Sequence, residues 1–253
     1  MSRNMGLALL LTAGAGLSTT IGSLFGFIQK KPGDKFMSFV LGFSAGVMIM
    51  VSFVELLHTS IEHIGFISAN SAFLSGLIIM FLIDYFIPHE YIGQHDFYQS
   101  QSKSRVLHAG LFLALGIGIH NFPEGIATFV STLQETKLGI SVAIAIALHN
   151  IPEGLAVSST IYFATQNRGK AFLWSFLSGI TEPLGAVIAA IVLAPFLSPI
   201  ILNYVLAITA GIMVFISLDE LIPLSKSFGQ EHLPIVGLIV GMAVMTISLW
   251  ILR

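Results

Sequence analysis

HNFPEG at residues 120–125 and HNIPEG at residues 149–154 are two copies of one motif, differing at a single position. Each copy lies inside a long run of apolar residues. A helix needs about 20 consecutive, mostly apolar residues to cross a bilayer, and both runs are long enough. The motif therefore predicts two membrane-spanning helices that carry the same polar and ionisable groups inside the bilayer.

The composition of the whole chain indicates the same class of protein. Apolar residues make up 55% of the 253 residues and charged residues only 9%, whereas a soluble domain carries about 25% charged residues. The net charge of -2 gives no indication of nucleic-acid binding. Because the chain has no cysteine, disulfides and thiolate metal sites are excluded. Histidine, carboxylate, amide and thioether groups remain as metal ligands, a set that suits zinc, iron and manganese.

Eight apolar runs are long enough to cross a membrane. The predicted fold is an all-α integral membrane protein, with residues 1–253 forming a single transmembrane domain. The predicted spans, numbered 1 to 8 in chain order, cover residues 5–27, 36–57, 67–88, 107–131, 138–163, 171–194, 201–223 and 234–252.

The basic residues of the loops predict the orientation, because cytoplasmic loops are enriched in lysine and arginine. Alternate loops on one side hold eight basic residues: Lys30, Lys31, Lys35, Lys103, Arg105, Arg168, Lys170 and Lys226. The other side, with both termini, holds Arg3, Lys137 and Arg253. We therefore expect the first side to be cytoplasmic and both termini to be external or periplasmic, in a cell inner membrane. The longest loop, residues 88–105, is either a solvated linker, the favoured interpretation, or a weak metal-collecting loop.

An internal repeat relates spans 2 and 7. Residues 40–56 (VLGFSAGVMIMVSFVEL) align without a gap to residues 205–221 (VLAITAGIMVFISLDEL), with eight of seventeen positions identical. Spans 2 and 7 are five spans apart, so they cross the membrane in opposite directions. Such an inverted repeat is frequent in secondary transporters, which bind substrate near the midplane between the repeats. Spans 1–3 are therefore predicted to mirror spans 6–8 around spans 4 and 5.

The spacing inside the motif places three potential metal ligands on one helix face. His120 lies four residues before Glu124 and Asn121 lies three before it, and these separations bring side chains together on a helix. The second copy repeats the arrangement with His149, Asn150 and Glu153. Two such faces opposite each other would surround a divalent ion, or two ions bridged by the glutamates, as in helix-bundle dimetal sites.

The proline of each copy gives a reason for a polar cavity at this depth. Pro123 and Pro152 lack an N–H and leave the carbonyls of Ile119 and Leu148 without their helical donor. A carbonyl freed inside the membrane needs a partner, and the lining of an ion-containing cavity would supply one. The glycine that ends each copy lets another helix approach closely.

Ionised carboxylates within a membrane are expensive, at roughly 2.5–3.5 kcal/mol each on insertion scales. The predicted spans hold seven acidic residues: Asp84 near the end of span 3, and Glu55, Glu124, Glu153, Glu182, Asp219 and Glu220. Such a set requires cations, protons or a water-filled path. Glu182 precedes Pro183 in span 6 and is predicted to supply a third carboxylate to the motif site.

Other polar residues have two open interpretations. Glu55 and Glu220 are either gate residues of a pathway or repeat-related structural caps near span ends. Met48 either offers a thioether at the entrance or packs in the core, and packing is favoured. Five residues near predicted span ends are expected to be interfacial: His58, Glu62, His63, Asp84 and His108.

The two HNxPEG segments, the glutamate of span 6 and the eight-span layout resemble the ZIP (Zrt-, Irt-like) metal transporters, in particular the bacterial ZupT-like branch. The resemblance implies a binuclear metal site between spans 4 and 5. One ion would be held by His120, Glu124, His149 and Glu153. Its neighbour would be held by Asn121, Glu124, Asn150, Glu153 and Glu182, with the motif glutamates bridging. Some members have an acid where this chain has Asn150.

The leading hypothesis is a transporter that imports Zn²⁺, together with Fe²⁺, Mn²⁺ and other divalent ions, into the cytoplasm. The ions would be its transported substrate, and no prosthetic group is expected. Its partners would be divalent ions and the lipid bilayer, without nucleic acid, and the sequence leaves a monomer and a homodimer open. An alternative is an intramembrane metal-dependent hydrolase, although the chain lacks a His-Glu-x-x-His segment. A second alternative is a dimetal redox protein.

Overall fold

The computed structural model of the chain describes residues 2–26, 33–86, 103–134, 136–193 and 198–252. Every regular element in these ranges is a helix. Eight of the helices, some containing a π-helical turn, are long and apolar enough to cross a membrane. The prediction of an all-α membrane protein with eight spans is therefore confirmed.

Five of the eight spans are single α-helices. They are spans 1, 3, 4, 5 and 8, formed by Ser2–Phe25, Phe66–Phe86, Lys103–Gln134, Thr136–Thr165 and Leu233–Leu252. The other three contain a π-helical turn. Span 2 consists of Asp34–Val51, the π-helical turn Ser52–Leu57 and His58–Ile64. Span 6 consists of Arg168–Ile188 and the turn Ala189–Leu193, and span 7 of Pro199–Ile216, the turn Ser217–Leu221 and Ile222–Ser227.

Several helices continue past the boundaries expected from hydropathy. Span 2 extends to Ile64, beyond the expected end at residue 57, and stops at Gly65, whose φ of 83° favours glycine. Span 4 begins at Lys103 instead of residue 107. The reason is that hydropathy marks the part of a helix inside the bilayer, while backbone hydrogen bonding continues into water. Of the loop expected at 88–105, residues 88–102 lie outside the described residues.

Two of the π-helical turns occupy equivalent positions in the internal repeat. Ser52 begins one turn and Ser217 begins the other, and these residues are aligned in the repeat. The Ser52 hydroxyl donates to the Met48 carbonyl at 2.7 Å, and the Ser217 hydroxyl donates to the Met213 carbonyl at 2.8 Å. The two segments thus share a backbone irregularity of a kind often found at functional sites.

The spans form two bundles. The motif bundle consists of spans 1, 4, 5 and 6, and the outer bundle consists of spans 2, 3, 7 and 8. In the outer bundle span 2 packs on span 8 and span 7 packs on span 3. In the motif bundle span 1 packs on span 5 and span 6 packs on span 4. The predicted repeat matches spans 1, 2 and 3 with spans 6, 7 and 8, and span 4 with span 5. Under this matching, the contact of spans 2 and 8 corresponds to that of spans 7 and 3, and the contact of spans 1 and 5 corresponds to that of spans 6 and 4. The inverted repeat remains a prediction, which this packing supports.

The outside of the protein is apolar. Large side chains such as Leu10, Ile78, Ile191 and Trp250 are exposed on the spanning helices. A soluble protein rarely leaves extensive apolar surface in contact with water. This surface therefore fits a multi-pass membrane protein whose exterior faces lipid.

Spans 2 and 8 approach closely because Gly46 of span 2 has no side chain. A Cβ atom at Gly46 would overlap the backbone carbonyl of Leu238. We expect Gly46→Ala to lower the free energy of unfolding by about 1–3 kcal/mol, because the helices must separate. Thermal unfolding in detergent would measure the change. Gly14→Ala is the control, since nothing lies within 4 Å of the added Cβ, and an equal loss there would contradict the prediction.

Candidate metal centre

The two motif copies face each other in the middle of the motif bundle, where spans 4 and 5 pack together. All the motif residues predicted to be ligands, and Glu182 of span 6, are buried from solvent. The structure places them together: His120, Asn121, Glu124, His149, Asn150, Glu153 and Glu182 are each at most 1% exposed. Burial of so many polar groups requires partners for them.

Each histidine contacts the glutamate of the opposite copy. His120 Nε2 lies 3.2 Å from Glu153 Oε1, and His149 Nε2 lies 3.4 Å from Glu124 Oε2. Ligand atoms about 2.0–2.2 Å from a tetrahedral zinc lie about 3.4 Å from one another. The nitrogen–oxygen separations therefore match two ligands of one divalent ion.

Both asparagines donate hydrogen bonds from their amide nitrogens to protein oxygens. Asn121 Nδ2 donates to the Ser178 carbonyl at 3.2 Å, and Asn150 Nδ2 donates to the Ala15 carbonyl at 3.1 Å. Asn150 Nδ2 also donates to Glu182 Oε2 at 2.7 Å. Fixing the NH₂ groups in this way leaves both side-chain carbonyl oxygens available to a cation.

Five buried oxygen acceptors of the site have no hydrogen-bond partner among protein atoms. They are Asn121 Oδ1, Glu124 Oε1, Asn150 Oδ1, Glu153 Oε2 and Glu182 Oε1. An unsatisfied buried polar group costs about 1–3 kcal/mol, and more when it is charged. Oxygens without donors, next to imidazole nitrogens, form a donor set suited to a divalent cation.

The comparison with known families agrees with this donor set. A family model described as ZIP zinc transporter matches residues 87–249. The chain belongs to the ZIP zinc transporter family. The sequence resemblance is thereby confirmed, and since the family consists of transporters, this ZIP family member is a transporter and not an enzyme.

Relatives match this ZIP family member over almost its whole length. It is 51% identical to a protein of Chlorobium phaeovibrioides named zinc transporter ZupT, with 97% of each chain covered. It is 47% identical to the protein of that name from Oceanobacillus iheyensis, covering 98% of this chain and 99% of the other. The protein of that name from Streptococcus mutans is 46% identical, with 98% of each chain covered.

Close helix approach brings span 6 to the motif. Gly125 lies against the backbone carbonyl of Glu182, and a Cβ atom at Gly125 would overlap it. The motif prolines do not interrupt their helices, since Pro123 and Pro152 both lie inside continuous helical segments. Gly125 thus lets span 6 approach closely enough to place Glu182 beside the motif. The sequence around Gly125 does not show which span would approach it.

The remaining candidates lie in the outer bundle of this ZIP family member. Met48 is fully buried in the apolar core, in keeping with a packing role. Glu55 and Glu220 lie partly buried in the two repeat-related π-helical turns. The carboxylate oxygens of Glu220, Asp219 and Asp84 lie within 4.8 Å of one another.

Asp84 lies two residues before the end of span 3, is only 6% exposed and belongs to this cluster, and its interfacial position stays a prediction. It comes from span 3, whereas the other two acids come from span 7. No spacing in the sequence connects them, and only the packing of spans 3 and 7 brings them together.

The Asn150–Glu182 hydrogen bond leads to a testable prediction. Asn150→Asp removes the amide donor to Glu182 and places a second carboxylate beside it. We expect the metal-free protein to lose about 1–3 kcal/mol of stability and to gain more from added Zn²⁺ than the parent does. Thermal unfolding with and without ZnCl₂ would measure both changes.

Asn70→Asp is the matched control for this substitution. The Asn70 amide donates to the Phe66 carbonyl at 2.8 Å on span 3, outside the centre. Added Zn²⁺ should stabilise the Asn70→Asp variant as much as it stabilises the parent. A zinc-induced gain in Asn150→Asp no larger than in the parent would contradict the prediction.

Proposed function

We propose that this ZIP family member imports Zn²⁺ into the cytoplasm through a binuclear site between spans 4 and 5. The observation that carries the proposal is the buried set of unpartnered oxygens, enclosed by two reciprocal histidine–glutamate contacts. The names of the relatives support zinc as a substrate.

The two motif glutamates have the geometry of bridging ligands. Glu124 directs Oε2 to His149 and leaves Oε1 without a partner, while Glu153 directs Oε1 to His120 and leaves Oε2 without one. A carboxylate with one oxygen on each side can link two ions, as in helix-bundle dimetal proteins.

These contacts support the ligand sets that the family resemblance implies. The first ion would be bound by both histidines and both bridging glutamates, namely His120, His149, Glu124 and Glu153. The second would be bound by the bridging glutamates and three groups on the other side: Asn121, Asn150 and Glu182. The negative charge of the three carboxylates nearly balances the positive charge of the two divalent cations. This near balance lowers the free-energy cost of placing the ions inside the membrane.

The donor chemistry also supports a range of substrates. Imidazole suits zinc and iron, and carboxylate and amide oxygens suit manganese. We therefore propose Zn²⁺ as the main substrate, with Fe²⁺ and Mn²⁺ as further substrates.

Movement of the site is proposed to follow the division into two bundles. All seven proposed ligands belong to spans 4, 5 and 6 of the motif bundle. The Ser44 hydroxyl of the outer bundle donates a hydrogen bond to the Pro152 carbonyl of the motif bundle at 2.8 Å. A shift of the motif bundle against the outer bundle would carry the intact site, as in transporters with inverted repeats.

The direction of transport rests on the distribution of charge. The side with eight of the eleven lysine and arginine residues is proposed to be cytoplasmic. Both termini would then lie outside the cytoplasm. The linker predicted at residues 88–105 would lie on the cytoplasmic side, and residues 88–102 of it lie outside the described residues.

Uptake of zinc into proteoliposomes tests the proposal. Glu124→Ala combined with Glu153→Ala removes both bridging carboxylates, and uptake should fall to that of protein-free liposomes. Glu231→Ala is the control, because that carboxylate is 88% exposed at the surface, and its uptake should equal that of the parent. Parent-like uptake by the double variant would overturn the proposal. Zinc binding without uptake by the parent would instead favour a resident metal site.

A further inference from the structure

Spans 1 and 6 cross at a pair of glycines that defines their register. A Cβ atom at Gly16 would lie 2.6 Å from the Gly179 carbonyl oxygen, and one at Gly179 would lie 2.5 Å from the Gly16 carbonyl oxygen. This reciprocity makes Gly16 the structural equivalent of Gly179. The residues on either side of each glycine can then be compared position by position.

Contacts with the motif helices follow the same register. Gly22 lies against the Ile151 carbonyl of span 5, and Gly185 lies against the Phe122 carbonyl of span 4. Both glycines are six residues beyond the crossing pair, and Phe122 and Ile151 are equivalent residues of the two motif copies. Span 1 therefore packs on the second copy as span 6 packs on the first.

The hydrogen bonds of the motif asparagines confirm this correspondence. Asn150 donates to the carbonyl of Ala15, and Asn121 donates to the carbonyl of Ser178. Ala15 and Ser178 each precede a crossing glycine. Spans 1 and 6 thus hold the two halves of the metal centre in equivalent ways.

In this register Thr19 is the equivalent of Glu182. Each lies three residues after its crossing glycine, and the carbonyls of the two residues lie against Gly154 and Gly125, respectively. Their side chains also begin in equivalent places. A Cβ added at Gly16 would lie 3.2 Å from Glu182 Cβ, and one added at Gly179 would lie 3.0 Å from Thr19 Cβ.

The Thr19 hydroxyl is buried without a partner. Thr19 is 0% exposed, and its Oγ1 makes no hydrogen bond to another protein group. Threonine in a helix commonly donates to a carbonyl of the preceding turn, as Thr12 does to Ala8 at 2.9 Å. A hydroxyl that makes no such bond, at the position equivalent to Glu182, is available to a ligand from outside the protein.

We propose that the Thr19 hydroxyl is an additional, neutral oxygen ligand of the metal centre, on the side of Asn121. This inference rests on the proposed function of the centre. With Thr19 as a ligand, the two equivalent positions of the site carry different groups: the anionic carboxylate of Glu182 next to Asn150, and the neutral hydroxyl of Thr19 on the side of Asn121.

The additional oxygen should affect some metals more than others. Zinc is commonly four-coordinate and is served by histidine and carboxylate ligands. Manganese prefers an octahedral shell rich in oxygen, so it depends more on each neutral oxygen ligand. Thr19 would therefore be a specificity-determining residue that extends the range of bound ions to Mn²⁺.

Equilibrium dialysis of the purified full-length protein with Mn²⁺ or Zn²⁺ tests this assignment. Thr19→Val keeps the shape of the side chain and removes the hydroxyl, and Mn²⁺ affinity should fall by about 10-fold while Zn²⁺ affinity changes little. Thr19→Ser should bind both ions as the parent does. The Thr19→Ser and Thr19→Ala pair repeats the comparison with smaller side chains and remains informative if valine disturbs folding.

Thr12→Val is the control, because it removes a buried hydroxyl seven residues earlier on the same helix, where that hydroxyl already donates to the Ala8 carbonyl. Parent-like Mn²⁺ affinity in both Thr19→Val and Thr19→Ala, or equal losses in Thr12→Val, would overturn the inference. Glu182→Gln separates this failure from that of the proposed function. If Glu182→Gln weakens binding and the Thr19 variants do not, only the Thr19 assignment fails. If none of them weakens binding, the proposed centre fails.

Discussion

A carboxylate held inside a membrane needs a cation, a proton or hydrogen-bond donors beside it, and this requirement organises the motif bundle. Glu124, Glu153 and Glu182 are completely buried, and each retains an oxygen without a protein partner. The histidines contact only one oxygen of each motif glutamate. The protein thus leaves anionic and carbonyl oxygens unsatisfied together, an arrangement that a cation between them would stabilise.

The same centre depends on close contact between helix backbones. Glycines at Gly22, Gly125, Gly154 and Gly185 each lie against a carbonyl of a neighbouring span. In lipid, helices associate largely through such packing, because the surrounding acyl chains are as apolar as the side chains. These contacts bring span 6 against the first motif copy and span 1 against the second. They therefore determine which side chains reach the metal centre.

The predicted inverted repeat differs between its two halves at a few polar positions. Ser44 donates across the bundle boundary to Pro152, whereas the repeat-related Thr209 donates to Val205 within its own helix. Asn150 binds Glu182, whereas the position equivalent to Glu182 on span 1 is Thr19. In transporters built from inverted repeats, one bundle moves against the other around the substrate site. The polar differences occur at the bundle boundary and at the metal centre.

The sequence by itself determined the class of fold, the number of spans and the two ligand faces of the motif. Apolar run length and helical spacing are local properties, so the positions of His120, Asn121 and Glu124 on one face required no tertiary information. The crossed pairing of each histidine with the opposite glutamate was decided only by the packing of spans 4 and 5. The same holds for the cluster of Asp84 with Asp219 and Glu220, and for the correspondence of Thr19 with Glu182. These arrangements join residues far apart in the chain, and their register depends on where one helix backbone can approach another.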